Sequence, residues 1–158
     1  MKDLLEAIKL REKGHVKKAN QLLIELVHKY PDDAQVNYQC AWCYDVMGLE
    51  KEAVPYYEKA IDLGLPDSDL KEAYLGLGST YRALGDYLKS EAILEKGVEL
   101  YDDNAIKTFL SMTKYNLGKH NEAMALLLEL LSSTSNDKDI LKFKDAIHFY
   151  SVKLDQLW

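Results

Sequence analysis

Two cysteines, Cys40 and Cys43, form the short motif of this chain that is most typical of chemistry. A C-x-x-C pair can act as a redox couple or as half of a metal site, because two thiols at a helix start share a face and a thiolate there has a lowered pKa. Here both cysteines fall in the middle of a helical pattern, and no second C-x-x-C or nearby histidine pair completes a metal site. We therefore expect packing residues, with a redox protein as an alternative, and we expect no metal and no cofactor.

The other groups that could catalyse a reaction are scattered. The four histidines share no common spacing, and Gly76 and Gly78 fall inside a helical pattern rather than in a phosphate-binding loop. The carboxylate pairs Asp32-Asp33 and Asp102-Asp103 precede helical segments, where helix capping explains them more simply than acid/base catalysis. The sequence therefore predicts a protein that is not an enzyme.

A repeated pattern of small and aromatic residues organises the chain around Gly48. Residues of these two types recur at helical distances on both sides of that glycine: Ala41, Tyr44, Ala53, Tyr57 and Ala60. Small residues let two helix backbones approach closely, and aromatic residues fill the space beside them. The stretch 34–64 therefore predicts two amphipathic helices joined at Gly48.

The same pattern occurs once before this stretch and twice after it. Successive marker glycines, Gly14, Gly48, Gly85 and Gly118, are separated by 34, 37 and 33 residues. The fourth copy is weaker, because Lys114 falls where an aromatic residue or leucine is expected. A period near 34 with this pattern resembles the tetratricopeptide repeat. The resemblance covers about residues 1–131.

The resemblance implies an all-α fold, a right-handed superhelical solenoid of antiparallel helix pairs with four repeats and a C-terminal capping helix. We expect one domain over residues 1–158. Its parts are repeats at about 1–33, 34–67, 71–104 and 104–136, followed by a capping helix at about 137–158.

Composition and charge narrow the possible partners and compartment. The chain has 158 residues and a net charge of −6, and its excess of acidic residues lies in 34–104. Phosphates would be repelled there, so we expect no nucleic acid partner. The opening residues have no apolar signal segment and no apolar run is long enough for a membrane span, so we expect a cytoplasmic protein without a membrane partner.

The last predicted helix is apolar on more than one face. Ile140, Phe143, Ile147, Tyr150, Leu154 and Leu157 form one stripe, whereas Leu141, Phe149, Val152 and Trp158 lie off it. A cap at the exposed end of the fourth repeat explains the stripe. The second set leaves open a homodimer or partner contact through this helix.

The resemblance also implies where a ligand binds, since tetratricopeptide proteins usually bind peptides on the face lined by first helices. The lining residues carried over by position are Leu4, Ile8, Arg11, Tyr38, Trp42, Asp45, Leu75, Ser79, Arg82, Met112 and Tyr115. Trp42 is the expected anchor, because tryptophan offers a large area and an N–H donor. Packing against a neighbouring first helix is its alternative role.

The predicted function is a non-enzymatic scaffold that binds a protein or peptide. The family's carboxylate clamp for chaperone tails requires Lys, Asn, Asn, Lys and Arg at positions that here hold Leu4, Ile8, Gln39, Glu72 and Gly76. Binding of chaperone tails is therefore not expected. Two alternatives stay open: a self-assembling subunit that pairs through the C-terminal helix, and the redox protein considered above.

Overall fold

The computed structural model describes all 158 residues, and every regular element in it is an α-helix. The chain divides into two compact units, Met1–Asp86 and Tyr87–Trp158. None of the helices combines the length and the apolar character that crossing a bilayer requires.

The first unit contains five helices. These are α1 (Lys2–Glu12), α2 (Val16–Lys29), α3 (Ala34–Val46), α4 (Glu50–Leu63) and α5 (Asp67–Ala83). Each helix packs against the next one in the chain, and the first helices of successive pairs also touch, α1 against α3 and α3 against α5. This arrangement places residues of α1, α3 and α5 on a shared side of the unit.

Small residues and capping groups explain the pairing of these helices. Ala7 and Ala19 are fully buried in a cluster with Leu23, Leu26 and Val36, so α1, α2 and α3 approach closely. The Asp33 side chain accepts a hydrogen bond from the Val36 N–H at 3.0 Å and caps α3.

Gly48 follows the end of α3 with a φ of +70°, the left-handed backbone conformation that commonly terminates an α-helix. Glycine adopts this conformation without the steric cost that a Cβ brings. The turn that the sequence pattern placed at Gly48 is therefore present.

The second unit also contains five helices. These are α6 (Tyr87–Tyr101), α7 (Asn104–Asn116), α8 (His120–Thr134), α9 (Lys138–Lys142) and α10 (Lys144–Ser151). Helices α6, α7 and α8 pack in chain order, and α10 packs against α8. Leu94 and Ile106 are buried between them.

The C-terminal segment differs from the single long helix that its apolar stripe indicated. It forms two short helices separated at Phe143, and the second ends at Ser151. No residue of α9 is buried, so tertiary contacts do little to extend that helix. Of the predicted stripe, only Ile140 and Ile147 are partly buried, whereas the other four residues are exposed.

Candidate functional site

Arg11 and Trp42 meet where α1 crosses α3. The Arg11 guanidinium carbon lies 3.8 Å from the centroid of the Trp42 ring, the geometry of a cation–π contact. Trp42 keeps 41% of its surface exposed. Trp42 therefore packs against the neighbouring first helix and still offers part of its ring to solvent.

Arg11 is buried, with only 8% of its surface exposed. Its Nη1 donates to the main-chain carbonyl oxygen of Gln39 at 3.4 Å, a long hydrogen bond. Burial lowers its pKa, and electrostatic interactions with Cys43, Tyr38 and Glu12 oppose that effect only in part. Although Glu12 contributes this electrostatic effect, no carboxylate forms an ion pair with the guanidinium.

A row of aromatic rings continues from Trp42 into the interior. The centroid of the Tyr38 ring lies 5.9 Å from that of Trp42 and 6.3 Å from that of Tyr57. Tyr38 is 3% exposed, and burial together with the nearby carboxylates raises its pKa to about 12. Tyr38 therefore packs against the ring of Trp42 and exposes almost none of its own surface to solvent.

Asp45 ends this row with a hydrogen-bonded carboxylate. Tyr57 Oη donates to Asp45 Oδ2 at 3.2 Å. Thr80 Oγ1 of α5 lies 3.5 Å from Asp45 Oδ1, a weak hydrogen bond because the same hydroxyl lies closer to the Gly76 carbonyl oxygen, at 2.8 Å. Burial raises the pKa of Asp45 and outweighs these two hydrogen bonds. Asp45 of α3 thus contacts side chains of α4 and α5.

The remaining predicted residues of the first unit lie at the same helices. Leu4 and Ile8 of α1 are partly buried, as are Leu75, Ser79 and Arg82 of α5. The face formed by Leu4, Ile8, Arg11, Tyr38, Trp42, Asp45, Leu75, Ser79 and Arg82 is called the first-helix face below. Within this unit the predicted residues fall on three helices, and contacts between α1 and α3 and between α3 and α5 connect them.

Gly76 lies beside this row of rings, where the absence of a side chain leaves space for Tyr57. A Cβ at Gly76 would lie 2.6 Å from Tyr57 Oη and 2.7 Å from Tyr57 Cζ, closer than atoms normally approach. The tyrosine is 2% exposed and its hydroxyl is held by Asp45, so it has little room to move. Glycine therefore makes room for the ring that aligns Asp45.

Two predicted residues belong to the second unit. Met112 and Tyr115 lie on α7 and are 37% and 64% exposed. The Tyr115 ring also packs on His120, with 5.0 Å between the ring centroids. Both side chains are accessible from the surface of that unit.

Lys114, which interrupts the repeat pattern, is buried in a network of charges. Its Nζ lies 3.0 Å from Glu91, 3.1 Å from Glu95 and 2.7 Å from Glu122. Lys119 also contacts Glu91, at 2.7 Å and 2.8 Å from its two oxygens. A charged cluster therefore fills the place of an aromatic side chain.

The two cysteines are buried free thiols. Burial raises the pKa of Cys40 to about 12 and also raises that of Cys43, whose Sγ donates to the Val16 carbonyl at 3.4 Å. A reactive cysteine must be accessible to its substrate and must ionise to a thiolate, and burial disfavours both here. The geometry therefore supports packing and argues against redox chemistry.

Sequence reasoning missed two features of these surroundings. Tyr57 was identified only as a core residue, and nothing local in the sequence showed that it would hold Asp45. The sequence did contain a signal for the charged network. Glu91 and Glu95 are one helical turn apart, and Lys114 occupies a position that is apolar in the other repeats. A cation at such a position requires buried carboxylate partners.

A family model and solved structures agree on the fold of this chain. A family model described as tetratrico peptide repeat matches residues 34–153. Residues 1–33 precede the matched range, although α1 and α2 form a helix pair like those that follow.

Among curated proteins, the chain is similar to the aspartyl/asparaginyl beta-hydroxylases of Mus musculus and Homo sapiens. The identities are 30% and 28% over 144 residues, which is 85% of this chain. The chain spans about a fifth, 19%, of the length of these relatives. The similarity therefore concerns one part of each hydroxylase.

Two solved structures have a similar fold. YrrB, a TPR protein with an unusual peptide-binding site, matches 98% of this chain and 86% of its own with a TM-score of 0.67 at 18% identity. The APC/C hetero-tetramer Cut9-Hcn1 matches 96% of this chain and 29% of its own with a TM-score of 0.72 at 17% identity. The chain itself has ten helices and no strands. Together with these matches, this confirms the predicted all-α, TPR-like solenoid class.

Proposed function

Because this chain belongs to the tetratricopeptide repeat family, we propose that it is a non-enzymatic scaffold that binds a protein or peptide on its first-helix face. Met112 and Tyr115 are the proposed counterparts in the second unit. A repeat fold of this kind presents side chains of successive first helices to a partner. The domain and repeat boundaries given above are part of the same proposal.

The observation that carries this proposal is the position of Trp42. It is 41% exposed on a helix whose other neighbouring residues are mostly buried, and Arg11 and Tyr38 fix its ring from two sides. Exposed tryptophans on a rigid support are typical binding hot spots, because they bury a large area at little cost in side-chain freedom. Trp42 is therefore the proposed anchor.

The comparisons support this proposal at the level of the fold. YrrB has the same fold and has a peptide-binding site, although at 18% identity no residue of its site can be transferred. The hydroxylase activity in the names of the curated relatives belongs to proteins of which this chain covers 19%. We therefore assign no hydroxylation to this chain, and a cytoplasmic location stays a prediction.

The test is capture of partners from the native cell extract with three baits: the wild type, Trp42→Ala and the control Trp158→Ala. Both tryptophans are exposed, so the control removes a side chain of the same type from the surface of the second unit. We expect Trp42→Ala to weaken binding of the captured partner by more than about 1 kcal/mol in calorimetry. Equal affinity of the wild type and Trp42→Ala would contradict the first-helix face.

A second candidate function is self-assembly through the C-terminal segment. Phe149, Tyr150 and Trp158 form an exposed aromatic cluster, with ring centroids between 5.2 Å and 6.4 Å apart. Lys153 Nζ lies 3.4 Å from the centroid of Phe149. Sedimentation velocity tests this alternative: a dimer that Phe149→Ser with Trp158→Ser converts to a monomer supports it, and a wild-type monomer refutes it.

A further inference from the structure

The three buried charged residues of this protein differ in how their charges are compensated. Lys114 and Glu91 contact each other, and both have further partners of opposite charge. Arg11 is equally buried, at 8% exposed, and has no carboxylate partner. Its compensation comes from the Trp42 ring and one main-chain carbonyl, and since buried charges in proteins are normally paired, the guanidinium can still accept an anionic partner.

The hydrogen-bond donors of Arg11 are also largely unused. A guanidinium carries five N–H donors, and one of them makes the long contact to the Gln39 carbonyl. No Arg11 nitrogen is both fully buried and without a partner; the fully buried unpaired side-chain atoms are Asn20 Nδ2 and Gln39 Oε1. The unused donors of Arg11 therefore keep a route to solvent and to a ligand.

A second unpaired group lies on the residue that Arg11 contacts. Gln39 is 6% exposed, and its Oε1 accepts no hydrogen bond although it is buried. Buried acceptors are rarely left unpaired. This oxygen is fully buried, so a ligand at the surface does not reach it, and of the two groups Arg11 alone offers hydrogen-bond donors to a ligand.

The stack on Trp42 favours one class of ligand group. The ring holds the guanidinium plane in place, so less freedom is lost when the planar fork binds a second planar group. Carboxylates match that fork with two parallel hydrogen bonds. Trp42 at the same time offers an apolar surface to the carbon atoms beside such a group.

We propose that Arg11, held against Trp42, is the binding site for a carboxylate of the peptide or protein ligand. This inference rests on the proposed function and deepens it, since it gives the chemistry of one ligand group at the first-helix face. The site differs from the family's carboxylate clamp, whose positions hold other residue types in this chain. It also makes Arg11 a specificity-determining residue.

The test follows Trp42 fluorescence in the full chain carrying Trp158→Phe, which leaves Trp42 as the sole tryptophan. The probes are three alanine pentapeptides. The first has both ends blocked and a central glutamate, the second has a glutamine in its place, and the third has no acidic side chain but a free terminal carboxylate.

The binding variants are Arg11→Met and Arg11→Lys, and Lys9→Met is the control, because Lys9 is an exposed cation of the same helix. Far-UV circular dichroism checks that each variant folds.

We expect the glutamate peptide to bind about tenfold or more tightly than the glutamine peptide, the typical effect of a hydrogen bond to a charged group. Arg11→Met should abolish that preference, Arg11→Lys should weaken it, and Lys9→Met should keep it. Tighter binding of the third peptide than of the glutamate peptide would also support the site and would identify a chain terminus as the source of the carboxylate.

Three results would overturn the inference. They are equal binding of the glutamate and glutamine peptides, a preference that survives in Arg11→Met, and no binding of any probe. Equal binding of the glutamate and glutamine peptides that still changes Trp42 fluorescence would leave the proposed function supported, so the two failures are distinguishable.

Discussion

Replacing Lys114 by methionine tests whether the charged network is a stabilising core element or only a substitute for an apolar one. The repeat pattern has an aromatic residue or leucine at this position, and methionine has a similar length to lysine without its charge. The change removes the contacts of Nζ with Glu91, Glu95 and Glu122. It leaves the backbone and most of the packing unchanged.

The magnitude follows from the exposure of the three partners. The side chains of Glu95 and Glu122 are 54% and 58% exposed, so both return to water easily, and for Glu95 the cost is about 0–1 kcal/mol. Glu91 is buried but keeps Lys119 at 2.7 Å. The main loss is one charged hydrogen bond of about 1.5–3 kcal/mol, which methionine packing partly offsets. We expect Lys114→Met to destabilise by about 1–2 kcal/mol.

The double variant Lys114→Met, Lys119→Met should behave differently, because it leaves Glu91 buried without a cation. Orphaned buried charges cost about 3–5 kcal/mol. Lys119→Met alone should cost about 1 kcal/mol or less, since the Lys119 side chain is 40% exposed. The double variant should therefore lose more stability than the two single variants together, which a double-mutant cycle measures.

The contribution of Glu91 to the pH dependence of stability should change sign between the wild type and the double variant. In the wild type, burial raises the pKa of Glu91, but hydrogen bonds from Lys119 and Lys114 outweigh burial and hold it below its usual 4.5. Its contribution to stability is present above that usual value and is lost as pH falls through the lower folded-state pKa. Without both lysines, burial alone raises the pKa of Glu91, so falling pH relieves an unfavourable charge and increases stability.

Urea unfolding followed by far-UV circular dichroism at a series of pH values measures these effects. Glu95→Gln is the control, because it removes a half-exposed partner of the same lysine and should cost about 1 kcal/mol or less. Additive single-variant effects, or a double variant that loses stability on acidification as steeply as the wild type does, would refute the argument that Glu91 depends on both lysines.

Three further predictions concern backbone and thiol positions of the first unit. Gly76→Ala should lower the free energy of unfolding by about 1–3 kcal/mol in urea titration, because its Cβ would overlap Tyr57; an unchanged value would show that Tyr57 moves freely. Gly48→Val should cost about 1 kcal/mol or more and Gly48→Asn less, because asparagine tolerates a φ of +70°; equal melting temperatures would show that the turn is not strained. Titration of the native protein with a thiol reagent should find Cys40 and Cys43 slow to react until the protein unfolds, and fast reaction of both would favour the redox alternative.

The helix pairs could be read from the sequence because they depend on local features. Ala7, Ala19 and Ala53 are fully buried where the pattern requires small residues, and Gly48 has the positive φ that a helix end requires. The candidate site could be read only in part. Trp42 and Arg11 were identified separately through the family resemblance, whereas their contact was not.

The C-terminal segment shows where the periodic pattern misleads. Its apolar stripe is regular enough to indicate one long helix, but the structure breaks it at Phe143 and leaves most of the stripe exposed. Helical spacing shows which residues would share a face if a helix formed. Whether the helix continues depends on tertiary contacts, and α9 has no buried residue to provide them.

The class of fold and the positions of the paired helices follow from the sequence alone. They depend on the spacing of small, aromatic and glycine residues within each helix and on its recurrence along the chain. The tertiary structure was needed to show that Arg11 lies over the Trp42 ring without a carboxylate partner, whereas Lys114 contacts three carboxylates. These contacts depend on how helices that are distant in the sequence pack against each other. The packing register determines which side chains meet, and therefore which charges are compensated.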